Sequence, residues 1–166
     1  MSMMDSSFKK IAVIGAGTMG SGIAAQIGNA GHDVLLLDLP AKHADTPSPA
    51  ERAIERLLAS DPPQLMHKRN ASRIITGTIT DDFDRLADCD WIIEAVVERL
   101  DIKKDLYQQL DAVIGPDCIV SSNTSTIPIR LLVEDMPSAF RRRFAITHYF
   151  NPVRYMRLLE LVRGTD

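Results

Sequence analysis

Three glycines spaced G-x-G-x-x-G, at Gly15, Gly17 and Gly20, constrain this chain more than any other feature. Before them stand Ile11, Ala12, Val13 and Ile14, an apolar run that reads as a short strand buried on both faces. After them Ile23, Ala24 and Ile27 recur at helical spacing up to Gly31. Strand, glycine turn and helix in succession form the context in which this spacing binds a dinucleotide. Gly15 permits the tight turn, Gly17 lets a pyrophosphate approach the backbone, and Gly20 lets the helix pack on the sheet. Ala16, Thr18 and Met19 complete the turn, where free N–H groups and the positive end of the helix dipole hold phosphates.

A second apolar strand, VLLLD, starts at Val34 and ends in Asp38, eighteen residues after Gly20. An acid at that strand end reaches the ribose 2′-hydroxyl and favours NAD over NADP. Lys42 and His43, just beyond, soften that preference. The alternatives are a glycine turn without a ligand and a solvated acid at a strand end.

Composition sets outer limits. With 166 residues, a net charge of −3, 45% hydrophobic residues and two cysteines, the chain suits one domain with a sizeable core. Mild acidity argues against a nucleic-acid surface, and no apolar run approaches the ~18 residues of a membrane span. The opening MSMMDSSFKK lacks the apolar centre of a secretion signal, and residues 1–8 read as a disordered lead. Cys89 and Cys118 each border an apolar run and read as reduced core residues of a cytoplasmic protein. The four histidines show no metal-type spacing, so no metal is expected.

Along the chain, a Pro-rich loop follows Asp38. Ser48, Pro49 and Glu51 then announce a capped helix striped by Ile54, Leu57 and Leu58 and stopped at Asp61-Pro62-Pro63. A second helical piece is expected over 64–69, and the whole stretch 39–72 reads as an insertion. Strands are expected at 73–78, at 91–98 with Glu94 and Glu98 at its polar end, at 118–125, at 144–147 delivering His148, and at 158–162. Between them lie a helical turn over 81–90, an amphipathic helix over 100–113 with Lys103 on its polar side, and a helix over 127–133. This alternation predicts an α/β fold of Rossmann type: a doubly wound, mostly parallel sheet with helices on both faces. Ligands of such sheets sit outside the carboxyl ends of the strands, which singles out Asp38, Glu94, Glu98, Asn123, Ser125 and His148.

Four blocks, AVIGAGTMGSGIA, DWIIEAVVERLDIKKDLY, SSNTSTIPI and HYFNPVRYMRLLE, resemble the NAD-dependent L-3-hydroxyacyl-CoA dehydrogenases of fatty-acid β-oxidation. The second block is most similar to a long bacterial form fused to an enoyl-CoA hydratase-type module. The resemblance implies that His148 is the catalytic base and Glu160 its partner acid. Taking a proton from a secondary alcohol suits a neutral imidazole, and a carboxylate on the far ring nitrogen fixes its tautomer. On the residues alone, His148 also reads as an ordinary strand-end histidine. Glu160 interrupts an apolar strand, where an acid is rarely buried without a partner. Ser125 corresponds to the family serine that contacts the 3-oxygen of the substrate, and it also stands where it can cap the next helix. Asn151 corresponds to an asparagine near the substrate, and it also suits the turn ahead of Pro152. Glu98 and Lys103 correspond to contacts with the nicotinamide-side ribose, or else form a surface ion pair at a helix start.

The implied activity is the interconversion of L-3-hydroxyacyl-CoA and 3-ketoacyl-CoA with NAD, by a protein that is a homodimer when full-length. The alternatives are a β-hydroxyacid-type dehydrogenase and a non-catalytic NAD-binding module. The family's CoA-binding helical hairpin is short and Pro-rich here, so Arg52, Arg56, Lys68 and Arg69 read as a solvated face rather than as CoA contacts. The family continues into a helical second domain. Asp166 therefore reads as the end of an amino-terminal portion that binds NAD, turns over poorly and leaves apolar surface uncovered.

Overall fold

In a computed structural model, residues 8–164 are described. Seven strands form one sheet in the order β3-β2-β1-β4-β5-β6-β7. They are β1 (Ile11–Ile14), β2 (Val34–Asp38), β3 (Ile74–Thr78), β4 (Trp91–Glu94), β5 (Ile119–Ser122), β6 (Phe144–Tyr149) and β7 (Leu159–Arg163). The first six run parallel and β7 is antiparallel to β6. Five α-helices accompany them: α1 (Thr18–Asn29), α2 (Pro49–Ala59), α3 (Leu100–Val113), α4 (Ile129–Val133) and α5 (Ser138–Arg142).

β1 is apolar throughout, and β2 and β4 are apolar up to their last residue, because both sheet faces are covered. On one face α1 and α2 press Ile23, Ile27, Ala53 and Leu57 onto Val13, Leu36 and Ile93. On the other, α3, α4 and α5 press Tyr107, Leu110, Leu132 and Phe140 onto Ile14, Ile92, Val120 and Phe144. The chain leaving β1 therefore turns to one face and the chain leaving β4 to the other. The strand order reverses between β1 and β4, and in such sheets the crevice that holds a dinucleotide lies at the carboxyl edge of that reversal.

Local signals set several boundaries. Ser48 and Glu51 form the expected capping box at α2: Ser48 N donates to Glu51 Oε2 at 2.7 Å and Glu51 N to Ser48 Oγ at 3.2 Å. β4 stops at Glu94, earlier than expected, because its own carboxylate accepts the Val96 N–H at 2.8 Å. α4 starts at Ile129 rather than at residue 127, because Thr124 Oγ1 takes the N–H groups of Thr126 and Ile127 and Pro128 follows. The helical piece expected over 64–69 is instead a 3₁₀ segment, Lys68–Arg73. The residues before it are pinned by Asn29, whose side chain donates to Gln64 O and accepts from Met66 N. The turn of α5 has no counterpart in the sequence expectations. Much of the stretch read as an insertion is required by topology, since parallel neighbours β2 and β3 need a crossover and α2 supplies it.

Residues 1–7, most of the expected lead, lie outside the described residues, as do 165–166. Phe8, assigned to that lead, packs on the Trp91 ring with centroids 5.4 Å apart. All five residues of β7 are exposed, Leu161 and Val162 among them. No helix among the described residues is long and apolar enough to cross a membrane.

Cys89 and Cys118 are free and buried. Burial pushes Cys89 up to about 11 and Cys118 up to about 12. At pH 8 the thiolate fraction is then about one in a thousand or less. A disulfide reagent such as DTNB is expected to label native protein at least ~100-fold more slowly than urea-unfolded protein, read as release of the coloured thiolate.

Candidate active site

The glycine turn is a close-packed object with one open side. Gly15 has φ +103°, and a Cβ there would lie 2.4 Å from the Ala95 carbonyl oxygen. A Cβ on Gly20 would lie 1.7 Å from the Gly15 carbonyl oxygen. Gly17 differs: nothing lies within 4 Å of the position a Cβ would take, and Gly17 is the N-cap of α1 with no capping side chain. α1 has no acid in its first turn, so its free N–H groups, starting at Thr18 and Met19, face open space without a competing carboxylate. These residues fit a diphosphate. Asp38 stands at the end of β2 as expected, with its carboxylate turned to the turn itself. Oδ2 accepts from Ala16 N at 2.5 Å and Oδ1 from Leu39 N at 2.6 Å.

Across the crevice the end of β4 carries a buried charge cluster. Glu94 is wholly buried and its carboxylate accepts four hydrogen bonds. Oε1 takes Lys103 Nζ at 2.7 Å and Val96 N at 2.8 Å; Oε2 takes Tyr107 Oη and Ser122 Oγ, each at 2.6 Å. Lys103, expected on the polar side of α3 or in a surface pair, is 1% exposed and also reaches Glu98 Oε2 at 3.2 Å. Glu98 keeps a partly exposed carboxylate bonded by Thr124 and Thr126. Partial burial pushes its pKa up, but those hydroxyls and the Lys103 ammonium outweigh this and hold it below the usual range. Burial, then the neighbouring Glu94 charge, push Tyr107 well above an ordinary phenol. Glu94, singled out as a strand-end candidate, is thus closed to ligand.

The registers of β1, β4, β5 and β6 align Ile14, Glu94, Ser122 and Ile146 in one row. His148 lies two residues beyond that row, on the same carboxyl edge as the glycine turn. It pairs directly with Glu160 across the β6–β7 ladder, and Nδ1 stands 2.8 Å from Glu160 Oε2. The His148 ring rests against Phe150, 4.5 Å between centroids. Glu160 is half-exposed rather than enclosed in an apolar strand. Asn123 braces this end: its Oδ1 accepts Tyr149 N at 2.9 Å and its N–H reaches Glu94 O at 2.8 Å. Ser125 and Asn151 are both exposed on the loops flanking His148. Ser125 does not cap α4; Thr124 takes the nearby N–H groups instead.

The cationic residues of the crossover scatter. Arg52 bonds Pro47 O, Arg56 bonds Ala16 O, and Lys68 and Arg69 sit in the 3₁₀ segment. Arg69 lines an open hollow of about 760 Å³ with Gly31, Asp33 and Arg73, at the amino end of the strands and away from the crevice.

Two outcomes follow from this geometry. Gly17→Ala is expected to leave unfolding stability within about 1 kcal/mol of the parent but to abolish NADH binding, whereas Gly20→Ala costs about 3 kcal/mol through its backbone collision. Thermal unfolding and NADH fluorescence titration separate the two. Lys103→Met strands the Glu94 charge and is expected to cost about 3–5 kcal/mol in urea unfolding, and the double change with Glu94→Gln to recover part of it.

Comparison with known proteins gives the arrangement a family. The model of the 3-hydroxyacyl-CoA dehydrogenase NAD-binding domain matches residues 10–166. A probable 3-hydroxyacyl-CoA dehydrogenase of Deinococcus radiodurans is 46% identical over 156 residues, covering 93% of this chain and 45% of that protein. A putative fatty acid oxidation complex trifunctional enzyme of Rickettsia felis is 45% identical over 160 residues, covering 96% of this chain and 22% of the relative. The crystal structure of a 3-hydroxybutyryl-CoA dehydrogenase from Escherichia coli superposes with a TM-score of 0.80 at 35% identity, over 96% of this chain and 33% of its own. The chain spans less than half the length of these relatives. With its glycine turn and its histidine–glutamate pair on one sheet edge, this chain belongs to the 3-hydroxyacyl-CoA dehydrogenase NAD-binding domain family.

Proposed function

We propose that the intact protein interconverts an L-3-hydroxyacyl-CoA and its 3-ketoacyl-CoA in fatty-acid oxidation, with this chain supplying the NAD site and the acid–base pair. One observation carries the reading: the 2.8 Å contact of His148 Nδ1 with Glu160, on the edge that also holds the glycine turn. With Nδ1–H donated to the carboxylate, Nε2 keeps a lone pair and is the free base. It takes the hydroxyl proton while the carbon gives up its hydride, and returns it in the reverse direction. NAD, when bound, supplies the hydride acceptor. Glu160 stabilises the imidazolium that forms and holds the ring in one orientation.

The exposed Ser125 hydroxyl donates to the 3-oxygen as charge develops there, and Asn151 orients the substrate from the facing loop. Glu98, through its exposed oxygen surface, meets the nicotinamide-side ribose. Lys103, being enclosed, acts through Glu98 by fixing its position. Asp38, with its turn contacts exchanged, receives the adenosine ribose and favours NAD over NADP. The buried free thiols support work in a reducing compartment, the cytoplasm. By the resemblance, residues beyond this chain complete the acyl-CoA cleft and the homodimer contact.

In the intact protein, His148→Gln is expected to lower kcat by about 10²–10⁴-fold while leaving the Kd for NADH within a factor of about two. Glu160→Gln is expected to give a smaller loss of kcat with the same unchanged Kd. Steady-state acetoacetyl-CoA reduction and NADH titration check both, and undiminished kcat in His148→Gln would overturn the reading.

A further inference from the structure

Arg56 belongs to α2, forty residues beyond the glycine turn, yet it reaches the turn directly. Its side chain is exposed, while its neighbour Leu57 is buried in the core. The guanidinium donates from Nη2 to the Ala16 carbonyl oxygen at 2.8 Å. The N–H of the same Ala16 is held by Asp38 at 2.5 Å, so the peptide groups on both sides of one turn residue are gripped from outside. Among the described residues no carboxylate lies within ion-pair distance of Arg56. A guanidinium carries five N–H groups, and the Ala16 oxygen accepts from only one of its nitrogens. The charge and the remaining donors stand beside Gly17, the one turn glycine with open space before it.

We propose that Arg56 is a cofactor-binding residue: it fixes the glycine turn through Ala16 and contributes its charge and spare donors to the diphosphate seated at the start of α1. The proposal rests on reading residues 15–20 as the NAD site. An unpaired guanidinium beside an anion site is worth more than one on an open helix face. Its planar fork of N–H groups matches the charged phosphate oxygens in pairs. It also reinforces the N–H groups of α1, which act on the same anion from the other side. The negative Asp38 lies on the far side of Ala16, where a 2′-phosphate would be repelled, so the bridging diphosphate is the phosphate Arg56 serves.

The test compares Arg56→Ala and Arg56→Lys with the parent, in the intact protein. NADH is titrated by fluorescence, and ADP and adenosine by competition against it, from 50 to 300 mM NaCl. Arg56→Ala is expected to raise the Kd of NADH and of ADP about tenfold, to leave adenosine within about twofold, and to flatten the dependence of log Kd on log salt. Arg56→Lys is expected to recover part of the loss, and the ligand-free Tm of both to stay within about 2 °C of the parent. Unchanged Kd values for NADH and ADP overturn the proposal. So does an equal loss for adenosine, which would make Arg56 a structural prop alone. Failure of the parent to bind NADH overturns the underlying reading instead.

Discussion

A carboxylate with no access to water organises the cofactor end of this sheet. Burying an ionised group costs several kcal/mol unless its lone pairs and charge are met. Glu94 meets that cost with four donors drawn from four places: the backbone just past β4, two positions of α3, and the end of β5. Its charge is balanced by Lys103, which also holds Glu98. Each donor fixes one wall of the crevice. The β4–α3 connection cannot straighten without losing Val96, and the loop after β5 cannot drift without losing Ser122. Such a cluster is weak evidence for raw stability. Its value lies in leaving the loops that flank the crevice few alternative arrangements.

The His148–Glu160 contact is inherited from sheet register. His148 and Glu160 are neighbours because β7 turns back against β6 and places them opposite one another. No long-range folding accident is needed; the ladder that forms the edge also forms the pair. The Tyr149 N–H donates to the Asn123 side chain, and the Asn123 N–H to Glu94 O, which ties that edge to the Glu94 strand end. The glycine turn and His148 thus stand on one carboxyl edge, each fixed by hydrogen bonds at strand ends.

What was legible in the sequence was local. The glycine spacing, the acid closing VLLLD, the Ser48–Glu51 box and the order of strands all act over a few residues, so pattern alone exposes them. The His148–Glu160 pair was legible through the motif blocks and not through periodicity. Lys103 was misplaced because a helical stripe sorts residues by polarity, and a lysine neutralised by a strand nine residues earlier carries no mark of it. β4 was drawn too long because nothing in WIIEAVVE shows that Glu94 folds back onto its own chain. Arg56 was assigned to solvent because its partner is a backbone oxygen, which no side-chain pattern reveals.

The crossover between β2 and β3 touches both shores of the crevice. From α2, Arg56 holds the glycine turn. A few residues on, Pro63 and Leu65 offer their carbonyls to Arg154, and Pro63 also accepts from Tyr155, on the connection that follows His148. Val153 of that connection sits where α1 has Gly22, so close that a side chain there would collide with it. The glycine turn and the strand edge that carries His148 therefore hang from one shared girder that runs from α2 to Leu65. Lengthening or shortening that girder would move the glycine turn and the His148–Glu160 pair relative to each other.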